Sequence, residues 1–123
     1  MTFLVVVEGD VGGWHVDRGA LTEAVRVRWP EVAVDTSGRS EVRAVVWKFD
    51  TDNDPGEAYL HEDGSCLYVD ASEDDAIWLA TAFRRLTPFD LDVVFCDDGY
   101  TFDVRLRAGT TEAELTALVR AAS

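Results

Sequence analysis

The sequence predicts an α+β fold: a single domain with a mostly antiparallel sheet and helices packed on one face. Three observations lead there. The chain has 123 residues, 47% of them hydrophobic and 28% charged, which is one ordinary globular domain's worth. Asp-Gly between apolar arms occurs twice, at Asp63-Gly64 and Asp98-Gly99. That pair is the strongest short hairpin signal, because a type I′ turn needs positive φ at both central residues. Each hairpin then runs into a capped helix, so that a hairpin-helix unit recurs at about 57–86 and 91–121 inside one domain spanning 1–123. Hairpins without a dominant strand-helix-strand alternation imply an antiparallel sheet with its helices gathered on one side.

The elements justify themselves in the order β-α-β-β-β-β-α-β-β-α. Thr2 to Glu8 is apolar and β-branched, a buried strand that Gly9, Gly12 and Gly13 end. Asp17 is placed to cap a helix running to about Trp29, with Leu21, Ala24, Val25 and Arg28 at helical spacing. Pro30 stops it, since the residue before a proline is pushed out of the α region. Val32–Asp35 and Glu41–Phe49 read as strands around the turn Thr36-Ser37-Gly38-Arg39-Ser40, and 50–56 as a polar loop. Ser72 with Asp75, and Thr111 with Glu114, have capping-box spacing. Ala76, Leu79, Ala80, Phe83 and Leu86 form the buried stripe of the first capped helix; Leu115, Leu118, Val119 and Ala122 form that of the second.

Counting outward from two-residue loops sets the hairpin registers. In the first, Leu60 faces Leu67 and Ala58 faces Val69, while Tyr59 faces Tyr68 and His61 faces Cys66 on the other side. In the second, Phe95 pairs with Phe102, Val93 with Val104 and Leu91 with Leu106; Cys96 with Thr101, Val94 with Asp103 and Asp92 with Arg105 oppose them. Tyr59, His61, Cys66, Tyr68 and Cys96 are therefore expected on the sheet face away from the helices.

Charge is the unusual number. Eleven basic against 24 acidic side chains give −13, beyond the roughly 2–8 units that solubility asks of a small domain. A surface that negative repels nucleic-acid phosphates and anionic lipid, which excludes both as expected partners. The acids are also concentrated: ten fall between Lys48 and Arg84 with no Lys or Arg among them. One reading is a solvated face with helix-capping acids; the other is an electrostatic surface for a basic partner. No apolar run reaches the roughly 18–20 residues of a membrane span, and no basic segment precedes Phe3–Val7 as in a signal peptide. A cytoplasmic protein is expected, and the ten-to-one excess of Arg over Lys fits a GC-rich, bacterial genome.

Candidate chemistry is sparse. His61 opposite Cys66 is the sharpest nucleophile pair, yet reactive thiolates sit in electropositive surroundings and this one is ringed by acids. A cysteine on a half-buried strand is more often a small hydrophobe. Asp50-Thr51-Asp52-Asn53-Asp54 starts like a calcium loop, then fails where Pro55 replaces the glycine and His61 the bidentate glutamate. Gly9-Asp10-Val11-Gly12-Gly13 lacks phosphate-loop spacing, and Glu8 and Asp10 oppose a phosphate. His15 has no partners at ligand spacing. No catalytic residue, metal or cofactor is assigned. Trp47 and Trp78 are weighed as interface anchors against simple core residues.

The expected function is a non-enzymatic protein-binding module, of the class of immunity or inhibitor proteins that neutralise a basic toxin or nuclease. Its partner-binding residues are Asp50, Asp52, Asp54, Glu57, Tyr59, His61, Glu62, Asp63 and Tyr68. A small-ligand domain or enzyme using the His61/Cys66/Cys96 face, and an accessory structural domain, are the alternatives. Composition leaves the oligomeric state open.

Overall fold

The computed structural model describes residues 2–9, 12–36, 43–51, 55–99 and 101–122, apart from the Arg43 side chain. Its elements follow the expected order: β1 (Thr2–Glu8), α1 (Arg18–Arg28), β2 (Ala33–Asp35), β3 (Arg43–Asp50), β4 (Pro55–His61), β5 (Cys66–Asp70), α2 (Glu73–Arg85), β6 (Asp92–Asp97), β7 (Asp103–Leu106) and α3 (Glu112–Ala122). The strands make one sheet in the order β2-β3-β4-β5-β1-β6-β7, with every neighbouring pair antiparallel. Among the described residues no helix is long and apolar enough to cross a membrane.

β1 lies inside the sheet because both its faces are apolar. Phe3, Val5 and Val7 are buried toward the helices, and Leu4 and Val6 are half-buried on the other side. β5 and β6 each run antiparallel to β1, hence parallel to one another, and α2 carries the chain between them. The two hairpins thus flank β1, and the repeat in sequence is not a repeat in space. The first hairpin is interior throughout, whereas β7 of the second is a sheet edge.

One core joins the helix-facing side of the sheet to all three helices. Phe3, Trp47, Leu60, Leu67 and Phe95 meet Leu21 and Val25 of α1, Leu79 and Phe83 of α2, and Leu115 and Val119 of α3. Each such large side chain contributes roughly 1.5–3 kcal/mol on burial. The expected caps are in place. Asp17 accepts from the Ala20 amide at 3.0 Å, Ser72 from that of Asp75 at 3.4 Å, and Thr111 from that of Glu114 at 3.2 Å.

Five details differ from the sequence reading. β4 begins at Pro55, inside the expected loop, because Gly56 pairs with Phe49 and leaves space for its ring: a Cβ there would lie 2.4 Å from Phe49. That ring stacks on Trp29 at 4.0 Å. The first hairpin keeps its register, but its turn is wider than two residues, with the His61 carbonyl accepting from the Gly64 amide at 2.9 Å. The second hairpin is shifted by two residues, so Phe95 faces Val104 and Cys96 faces Asp103. The cause is Asp97, whose carboxylate accepts from the Thr101 amide at 2.7 Å and from the Thr101 hydroxyl. An even shift leaves every side chain on its expected face, and Phe102 packs at the strand mouth against Phe95, 5.4 Å away. Trp47 is fully buried and donates to Thr22 Oγ1 at 3.1 Å, a core residue and not an anchor. Finally, the stripe of α3 is only half used: Leu115 and Val119 are buried, while Leu118 is 45% exposed and Ala122 is exposed. The expected turn at 36–40 falls largely outside the described residues.

Candidate functional site

The first hairpin builds a continuous surface on the side of the sheet that the helices leave uncovered. Alternation along β4 buries Ala58 and Leu60 toward the helices, so Glu57, Tyr59 and His61 face the other way, as do Cys66, Tyr68 and Asp70 of β5. The observed register sets Tyr59 opposite Tyr68. Their rings stack at 4.5 Å with planes 12° apart. Neighbouring strands extend the row: Val46 lies beside Tyr59, Leu4 beside Tyr68, and Cys96 beside Leu4. Next to this row, Val6 lies between Cys66 and Val94. The result is a half-exposed, partly apolar and aromatic band running from β3 to β1, which ends where Val94 and Cys96 of β6 are buried.

Carboxylates stand at both ends of the band. At one end Glu57 lies directly opposite Asp70, with Lys48 on the other side of Glu57. At the other end are Glu62 and Asp63 of the turn, both exposed. Asp63 accepts from the Ser65 amide at 2.9 Å and the Ser65 hydroxyl at 2.8 Å, and meets His61 Nδ1 at 3.1 Å. The Ser65 amide is the main reason its carboxyl is held below the ordinary value, with the Ser65 hydroxyl and His61 adding to it. Asp50 is exposed at the end of β3 and borders a depression of about 420 Å³ with Arg28, Ser72 and Asp74. Asp52 and Asp54 lie outside the described residues.

The run of acids between 50 and 75 is therefore not one plate. Glu73 and Asp74 form the first turn of α2, where acids suit the helix dipole. Asp75 is buried beneath them and pairs with Arg28 at 3.2 Å. Arg28 is in turn held over Trp29 and Trp78, at 5.2 and 5.0 Å from their ring centres. Trp78 is thus part of a cation clamp on the helix side of the molecule.

The thiols on the open face are chemically quiet. Burial, with smaller contributions from Asp63 and Cys96, pushes the Cys66 thiol up to about 11. Cys96 is raised as well, by burial first and then by Asp103, Asp97 and Glu8. Both stay protonated at neutral pH, the reverse of what a nucleophilic thiol needs. His61, weighed as a base for Cys66, has its Nδ1 turned to Asp63. Among the described residues no three His, Cys, Asp or Glu side chains converge to hold a metal ion.

Sequence reasoning located the Tyr59, His61, Cys66, Tyr68 and Cys96 face and missed how far it extends. Leu4, Val6 and Val46 belong to it, as does the cation Lys48. The signal was present: a strand apolar on both sides must lend one side to whatever lies beyond the sheet. No family model, no curated protein and no solved structure matches this chain.

Proposed function

We propose that the domain is a non-enzymatic binding module whose open sheet face receives a basic protein. The observation that carries this reading is the stacked Tyr59–Tyr68 pair, half-exposed on a helix-free face with Glu57 and Asp70 at one end and Glu62 and Asp63 at the other. Tyrosines supply large, rigid contact area at low entropic cost, and are enriched among residues that dominate binding energy. Carboxylates at the rim steer a cationic partner and fix its orientation. A net charge of −13 extends that attraction over the whole molecule. The class that suits these features is an immunity or inhibitor protein against a basic toxin or nuclease, with carboxylates occupying positions where the target would hold phosphates.

What weighs against the enzyme alternative is the state of its thiol. Cys66, the only nucleophile that sequence reasoning set beside a histidine, is held protonated by its burial. The test is capture from a lysate of the native host by the immobilised domain, alongside a Tyr59→Ala/Tyr68→Ala variant and a Glu57→Lys/Asp70→Lys variant. The reading expects a basic protein retained by the wild type and lost by both variants. An acidic partner, or one retained equally by all three, overturns it.

A further inference from the structure

The two edges of the sheet differ in what they offer. β2 is only Ala33–Asp35. β7 is Asp103-Val104-Arg105-Leu106, paired with β6 on one side and with no strand on the other among the described residues. An open edge exposes a row of backbone donors and acceptors, and proteins commonly guard such edges with charged side chains, lysine above all. Here the charges alternate in sign. Asp103 and Arg105 are both exposed and share one face, while Val104 and Leu106 are buried toward the helices.

We infer that β7 pairs with β7 of a second copy of this chain, antiparallel about a two-fold axis through Val104. Opposed residues in a sheet share a face, so only registers of even offset are open. A two-fold at Arg105 sets Arg105 against its own copy, and one at Asp103 sets Asp103 against its own copy; both put like charges directly opposite, which destabilises pairing. The two-fold at Val104 alone sets Asp103 against Arg105 of the second copy, twice. On the helix side the same register brings Phe102 opposite Leu106.

The helix above the edge supports the same occupant. Leu118 and Ala122 continue the apolar stripe of α3 past what this chain covers, and with Val104 they line a groove of about 730 Å³ beside β7. Antiparallel pairing of identical edges keeps both sets of helices on the same side, so the two Leu118 faces meet across the seam. Charge permits it. The groove is lined by Asp103, Glu114, Arg105 and Arg107, two acids and two cations, in a chain of net charge −13. Locally balanced charge opposes self-association less than the net charge of the chain does. The arrangement joins two seven-stranded sheets and leaves both tyrosine bands on one continuous face. It is independent of what those bands bind.

The test is sedimentation velocity over protein concentrations from about 1 μM to about 1 mM, the weak limit of specific association. The wild type is expected to dimerise within that range. Arg105→Asp places two carboxylates directly opposite each other, twice across the seam, and should weaken the dimer at least tenfold. Leu118→Glu should weaken it similarly. Asp103→Arg combined with Arg105→Asp restores the opposite pairing and should recover the dimer. Circular dichroism on each variant reports whether the fold is intact, which exposed positions should leave unchanged. A wild type that stays monomeric, a charge swap that fails to restore association, or a dimer abolished by Tyr59→Ala and indifferent to Arg105→Asp overturns the inference.

Discussion

The two hairpin-helix units carry the same local punctuation and meet different fates. β4, β5 and α2 lie inside the fold; α2 buries Ala76, Ile77, Leu79, Ala80, Ala82, Phe83 and even Arg84. β6, β7 and α3 reach its margin, where α3 buries Leu115 and Val119 and leaves Leu118 exposed. Their turns diverge as well. Gly64 sits at φ +72°, and a Cβ there would lie 2.5 Å from that of His15. Gly99 is not among the glycines of positive φ, and its nearest neighbour would be Thr101 at 3.9 Å. Local sequence decides which elements form. The number of neighbours each finds in the sheet decides what it buries, and therefore which surface is left to bind.

The largest expected effect contrasts the two helices. Phe83→Ala removes a fully buried ring of α2 and should cost about 3–5 kcal/mol in urea unfolding. Leu118→Ala, from the corresponding apolar stripe of α3, should cost within about 0.5 kcal/mol at dilute concentration. A cost of several kcal/mol at Leu118 would mean that the second unit is as enclosed as the first. A smaller contrast lies in the turns. Gly64→Ala combines a left-handed backbone with a steric conflict and should cost about 1–3 kcal/mol, whereas Gly99→Ala should be near neutral. Equal costs would show that both Asp-Gly pairs adopt the same turn.

The thiol of the first hairpin gives a pH signature. Cys66 ionises near the ordinary 9.0 in the unfolded chain and at about 11 in the folded one. The stability gained by keeping it neutral is thus fully present below pH 9 and lost as pH rises toward 11, at roughly 1.4 kcal/mol per unit. Under reducing conditions the wild type should lose roughly 2 kcal/mol more than Cys66→Val across that interval. Parallel curves for the two proteins would place the thiol in water.

Much of this was legible in the chain. The element order, the three helix caps and the register of the first hairpin follow from Asp17, Ser72, Thr111 and the alternation on either side of Asp63-Gly64. What escaped was non-local. The side chain of Asp97 captures Thr101 and moves the second register by two, a competition that counting from Asp98-Gly99 does not contain. Asp75 is drawn away from the other acids by Arg28, which is 47 positions distant. Leu118 and Ala122 carry an apolar pattern that predicts burial, but their exposure depends on β7 being the last strand in the sheet. For the candidate site, strand alternation placed the tyrosines, whereas the grouping of the carboxylates needed the sheet order.

If the open face binds a basic protein through a tyrosine centre and an acidic rim, the kinetics of association will carry the signature of both parts. With the captured partner, rates are measured at about 0.05 M and about 0.5 M salt, between which the screening length falls severalfold. Higher salt, Glu57→Gln and Glu62→Gln should each slow association with little change in dissociation. Tyr59→Ala or Tyr68→Ala should speed dissociation by roughly thirtyfold, about 2 kcal/mol. Rates indifferent to salt and to all four substitutions would contradict this reading, and would leave the acidic rim as a solvated surface.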